Sequence, residues 1–144
     1  MSTSLVKFKQ KGVWVHNAVA EVWLCFLVRE IRSEAHAPLW LQGMAEEIEL
    51  ALEAGWIDGV ISSVFDARLE SVDKVELFLP RLSSAKDEIL AQASEQQAVN
   101  IDKFDASSAF VIPEILMLER LFAHPEEISE PWKVFTLRDG WRIA

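Results

Sequence analysis

The residues best able to do chemistry are scattered. The three histidines, His16, His36 and His124, lie far apart and in different contexts, and none sits in a metal-spaced cluster such as H-E-x-x-H. His16 beside Asn17 reads as part of a helix start, and His124 as an end residue suited to the negative pole of a helix. With one cysteine, Cys25, an intrachain disulfide is excluded. Its place inside an apolar run makes it a packed small hydrophobe, not a nucleophile. Serines come in pairs, Ser62-Ser63, Ser83-Ser84 and Ser107-Ser108, and suit turns and caps. There is no G-x-S-x-G elbow, and the five glycines are too scattered for a phosphate-cradling loop. The sequence therefore assigns no catalytic residue, no metal ligand and no cofactor, and the expectation is that the protein is not an enzyme.

The carboxylates are grouped. Glu46, Glu47, Glu49 and Glu53 crowd one predicted helix; Glu126, Glu127 and Glu130 precede Trp132. Acidic residues beside an exposed tryptophan suit capture of a basic partner, because charge speeds encounter and an aromatic anchor supplies affinity. The plainer reading of either group is a hydrated surface. A pair of carboxylates could also serve as general acid and base, which requires a cleft that raises their pKa values.

Those groups depend on the elements that carry them. Ala18–Ile31 reads A-V-A-E-V-W-L-C-F-L-V-R-E-I, and no polar side chain interrupts Val22–Val28. A helix apolar on nearly every side belongs inside the protein. Asn17 is the expected N-cap, with Arg29 and Arg32 near the negative end, which predicts a helix over 18–33. Before it, Leu5–Val15 looks extended, with Lys7, Lys9 and Lys11 on one face and Gly12 as punctuation. After it, Pro38 opens a second helix that places Leu41, Met44, Ile48, Ala51 and Leu52 on one face and ends at Gly55 in a left-handed cap. Asp58-Gly59 reads as a turn, and Val60–Leu69 fits a strand or a helix. Ser71 caps a helix to about Gln97, along which Val72, Val75, Leu79 and Leu82 recur, with a kink or restart at Pro80. Val99–Ser108 reads as a loop. Phe110–Ala123 is the last helix, with Pro113 in its first turn and Ile115, Leu118, Leu121 and Phe122 inward. Trp132–Ile143 looks like a hairpin able to pair with Leu5–Val15.

The expected fold is a mainly α single domain over 1–144, built around a buried central helix (18–33), with a small antiparallel β element from the N-terminal segment and a C-terminal hairpin. Net charge is -9, which repels nucleic acid and anionic membranes and attracts basic proteins. No signal-peptide pattern and no apolar run of membrane-spanning length is present, so the expected location is the cytoplasm. There are six Trp and eight Phe but no Tyr, and since tryptophan fills cores and is also enriched at interface hot spots, not all six need be interior.

Gly12–Ile31 (G-V-W-V-H-N-A-V-A-E-V-W-L-C-F-L-V-R-E-I) and Trp40–Trp56 (W-L-Q-G-M-A-E-E-I-E-L-A-L-E-A-G-W) resemble segments of small bacterial proteins encoded near polymorphic toxins and taken to be immunity proteins. The likeness covers roughly the first half of the chain and rests on apolar and Trp positions. It implies a cytoplasmic protein that binds and silences a cognate toxin, and it carries over no active residue. A basic toxin domain is then the expected partner. The alternative is a homo-oligomeric structural or regulatory helical protein without catalytic activity.

Overall fold

The computed structural model describes residues 3–57 and 63–128. Strands β1 (Thr3–Phe8) and β2 (Lys11–His16) lead into helix α1 (Asn17–Arg32) and then α2 (Leu39–Ala54). A short α3 (Val64–Arg68), a long α4 (Val72–Glu95), a second hairpin of β3 (Ala98–Ile101) and β4 (Phe104–Ser107), helix α5 (Ser108–Ala123) and a 3-10 turn (Pro125–Glu127) follow. The domain is mainly helical, with two small antiparallel hairpins.

The unbroken apolar run lies where its composition requires. Every residue from Val22 to Val28 is buried; even Cys25 and Val28 are only 7% exposed. An aromatic cluster closes one side of α1. Phe122 of α5 packs against Phe8 at 4.9 Å, Phe65 at 4.9 Å, Phe78 at 5.5 Å and Trp23 at 6.0 Å between ring centroids. One residue thereby ties β1, α3, α4 and α1 together, and the buried apolar side chains form one contiguous cluster.

The N-terminal segment pairs with itself. Thr3 faces His16 and Phe8 faces Lys11, so the chain reverses over Lys9-Gln10, where both residues have positive φ (52° and 66°). That is the backbone of a two-residue hairpin turn, here without its usual Asn or Gly; the Lys9 N–H donates to Asp66 Oδ1 at 2.9 Å. The three lysines therefore do not line one face. Lys7 sits opposite Gly12, whereas Lys11 lies beside Phe8 on the other face and donates to the Ile128 carbonyl at 2.8 Å. Gly12 is inside β2, where a Cβ would stand 2.9 Å from Leu5 Cδ1 and 3.2 Å from the Val6 carbonyl. Asn17 is not the N-cap of α1: His16 is, and the Asn17 side chain instead accepts from Ser4 Oγ.

In α2 the five expected inward residues are all buried, Gly55 takes the left-handed cap (φ 76°), and Pro38 is the N-cap instead of the first helical residue. The described part of Val60–Leu69 is helical over Val64–Arg68; Asp58-Gly59 lies outside the described residues. Ser71 caps α4 by accepting from the Lys74 N–H at 3.2 Å. That helix runs through Pro80, and Arg81 Nη1 donates to the Leu77 carbonyl in the turn the proline disturbs. Its inner line is Phe78, Leu82, Ala85, Ile89 and Ala93, because the Phe78 ring enters the aromatic cluster; Val72 is 67% exposed.

The expected loop at Val99–Ser108 is a hairpin, turning over Asp102-Lys103 with Asp102 at φ 51°, a conformation Asp tolerates. It is too short for its alternation, with Val99, Ile101 and Ala106 inward, to stand out in the sequence. Helix α5 starts at Ser108, so Pro113 lies past its first turn; the four expected inward residues are buried. The Trp132–Ile143 hairpin and its pairing lie outside the described residues.

A pair of carboxyl groups, Glu30 and Glu88, links α1 to α4. The hydrogen bond to Glu88, then burial and the Glu88 charge, push the Glu30 carboxyl up from 4.5 to about 7. The same bond first, and Arg29 after burial is offset, lower Glu88. Folded Glu30 binds more proton than unfolded Glu30 above pH 4.5, so its contribution is full below that pH and is lost as pH rises through about 7. Between about pH 5 and pH 8 the wild-type urea midpoint should fall relative to that of Glu30→Gln, whose amide keeps a donor throughout. Parallel pH profiles for the two proteins would refute the raised Glu30 pKa.

Candidate functional site

The acidic helix α2 sorts its glutamates by angle. At about 100° per residue, Glu47 and Glu49 fall on opposite flanks of its outward side. Glu47 accepts from Arg68 of α3, through Nε at 3.0 Å and also through Nη2. Glu49 accepts from Arg32 of α1 at 2.6 Å, a bond that holds the Arg32 pKa up. These pairs fasten α2 at both flanks, each with a modest contribution because the groups are partly exposed.

Between the flanks lies a band about 60° wide that holds Leu39, Glu46, Leu50 and Glu53, opposite the core face. Glu46 and Glu53 have no ion pair among the described residues. Leu39 is 84% exposed and Leu50 is 60% exposed. Trp56, directly after the Gly55 cap, is 76% exposed. The predicted acidic group is therefore brought together, two members spent on internal pairs and two set outward among large apolar side chains. The apolar members went unassigned from sequence, although Leu50 stands off the Leu41–Met44–Ile48 face.

The second acidic group is only partly described. Glu126 and Glu127 are exposed in the 3-10 turn, 3.5 Å from His124 Nδ1 and 3.7 Å from Arg120 Nε respectively. Glu130 and Trp132 lie outside the described residues. His124, Glu126 and Glu127 bring ligand atoms within 4.8 Å of one another, but all three are exposed, with no buried shell to hold an ion.

Two cavities lie along α1. The first, about 500 Å³, is lined by His16, Asn17, Glu21, Asp105, Ser107 and Phe110 among others. Its imidazole is fixed from α5: Glu114 accepts from the His16 N–H at 2.8 Å and meets Nδ1 at 2.6 Å, and the ring stacks on Phe110 at 3.9 Å. Glu114 and Phe110 are one helical turn apart, so one face of α5 sets the ring plane. Burial pushes the Glu21 carboxyl up, against the pull of Lys103. The second cavity, about 320 Å³, is lined by Cys25, Glu49, Glu53, Asp102, Lys103 and Phe104. Burial first, then the Asp102 and Glu21 charges, push the Cys25 thiol up to about 11. That thiol stays protonated at neutral pH and is a poor nucleophile. Sequence reasoning missed this region, because His16 and Glu114 are 98 positions apart.

No family model matches the chain, and comparison with curated proteins and with solved structures yields no match. The reading of function rests on the site itself. Among the described residues, no helix is long and apolar enough to cross a membrane.

Proposed function

We propose that this protein is a binding module of immunity or antitoxin type that holds a basic protein partner, such as a toxin domain, on the outer band of α2. One observation carries the reading: Leu39 and Leu50 stand exposed on the same face of α2 as Glu46 and Glu53, and exposed Trp56 directly follows the cap of that helix. Large apolar side chains left in water along one helix mark an interaction surface, and tryptophan is among the residue types most enriched at interface hot spots. Carboxylates among them favour a basic partner and speed its approach. They disfavour a second copy on this face, since a symmetric contact sets like charges together.

The test is capture from cells of the source with tagged wild type and with Leu39→Ser/Leu50→Ser/Trp56→Ala. The wild type should retain a basic protein that the triple variant, equally folded by circular dichroism, releases. Equal retention by both would contradict the assignment of the band. Self-association has its own observation, since α5 exposes Ile112, Leu116 and Met117 (40%, 47% and 43%). Sedimentation at micromolar concentration separates the readings, because a strict monomer removes the second.

A further inference from the structure

The two cavities lie in series along one face of α1 and make a discontinuous groove, with no lining residue in common. Asn17, Ala18, Glu21 and Cys25 share a helix face at spacings of three and four. The hairpin runs beside them in matching order, with Asp105–Ser107 at the first cavity and Asp102–Phe104 at the second. The groove continues to Glu53, at the end of the outward band of α2. Its walls carry the carboxylates of Glu21, Asp105, Asp102 and Glu53, against one lysine, Lys103; Glu49 at the edge is spent on Arg32.

Two further residues line these cavities. With Nδ1 held by Glu114, Nε2 is the remaining polar edge of His16, and it has no hydrogen-bond partner among the described residues. Cys25 lies over nine-tenths buried at the base of the second cavity as a free thiol. The carboxylates are spread along the groove instead of gathered round a point, since Glu21, Asp102 and Asp105 do not bring their oxygens within one coordination sphere. Such spacing fits several separate cationic groups better than one metal ion. From Ala18 to Cys25 the helix rises about 10 Å, the reach of three to four extended residues.

We infer that this groove binds an extended basic peptide segment, with Arg or Lys side chains at Glu21 and Asp105 and at Asp102 and Glu53. The inference rests on the reading of the protein as a binding module and adds the part of the partner that would be recognised: a cationic tail or loop beside the surface that meets α2.

The test uses a fluorescein-labelled octapeptide of alternating Arg and Ala, titrated by anisotropy at 150 mM salt. Glu21→Gln/Asp105→Asn should weaken binding about fivefold to thirtyfold, the product of two exposed charge contacts. Asp73→Asn/Glu76→Gln removes the same two charges from exposed α4 and should change affinity less than about twofold. Amide shifts on peptide addition should concentrate at residues 17–25 and 102–107. Equal losses in both double variants, no loss in either, or shifts spread over the surface would overturn the groove assignment, as would the absence of binding. Failure here with capture on α2 intact would leave the binding module standing. A groove that takes the peptide in a protein that captures nothing through α2 would refute the module reading instead.

Discussion

Phe122→Ala should destabilise the fold by about 3–5 kcal/mol. The ring is 1% exposed and meets four other rings, from β1, α1, α3 and α4. Two of those contacts are edge-on, at 69° and 60°, the arrangement in which the positive rim of one ring meets the negative face of another. Truncation forfeits the transfer free energy of the ring and leaves a cavity that walls from several elements cannot all collapse into. Against a total stability of about 5–15 kcal/mol, that loss takes a large share of the margin. The measurement is urea unfolding, in which the midpoint should fall while the slope is kept, with a melting temperature lower by about 10 °C or more. A loss under about 1 kcal/mol would mean that the cluster does not knit the elements together.

Trp56→Ala should act in the opposite compartment of the free-energy balance. The side chain is 76% exposed, so folding stability should change by less than about 0.5 kcal/mol. Affinity for the captured partner should fall by at least about thirtyfold, the size of a hot-spot loss of 2 kcal/mol, and chiefly through faster dissociation. Glu46→Lys/Glu53→Lys should instead slow association and invert its salt dependence, since these carboxylates act before contact. Surface plasmon resonance at two salt concentrations separates the roles. An unchanged dissociation rate for Trp56→Ala would remove the anchor from the account.

The architecture was legible where the chemistry is local. Seven successive apolar residues at Val22–Val28 admit no exposed face, Gly55 supplies a backbone that only glycine adopts freely, and Ser71 offers an oxygen to an orphan N–H. Both hairpins were harder to see. Lys9-Gln10 turns without a glycine, while Gly12, which looked like punctuation, is the residue whose missing Cβ lets Leu5 pack. The four-residue strands β3 and β4 carry too few alternations to register.

The candidate site was half legible. The acidic density of Glu46–Glu53 shows in the sequence, but its division into internal pairs and outward groups depends on where Arg32 and Arg68 arrive from other elements. His16 and Glu114 meet only after β2 and α5 pack, and no local pattern announces that meeting.

The band on α2 is tested most directly by hydroxyl-radical footprinting of the protein alone and saturated with its captured partner. Leu39, Leu50 and Trp56 should lose most of their reactivity in the complex, while Ile112, Leu116 and Met117 on α5 keep theirs. Full reactivity of Leu50 and Trp56 in a saturated complex would place the contact elsewhere.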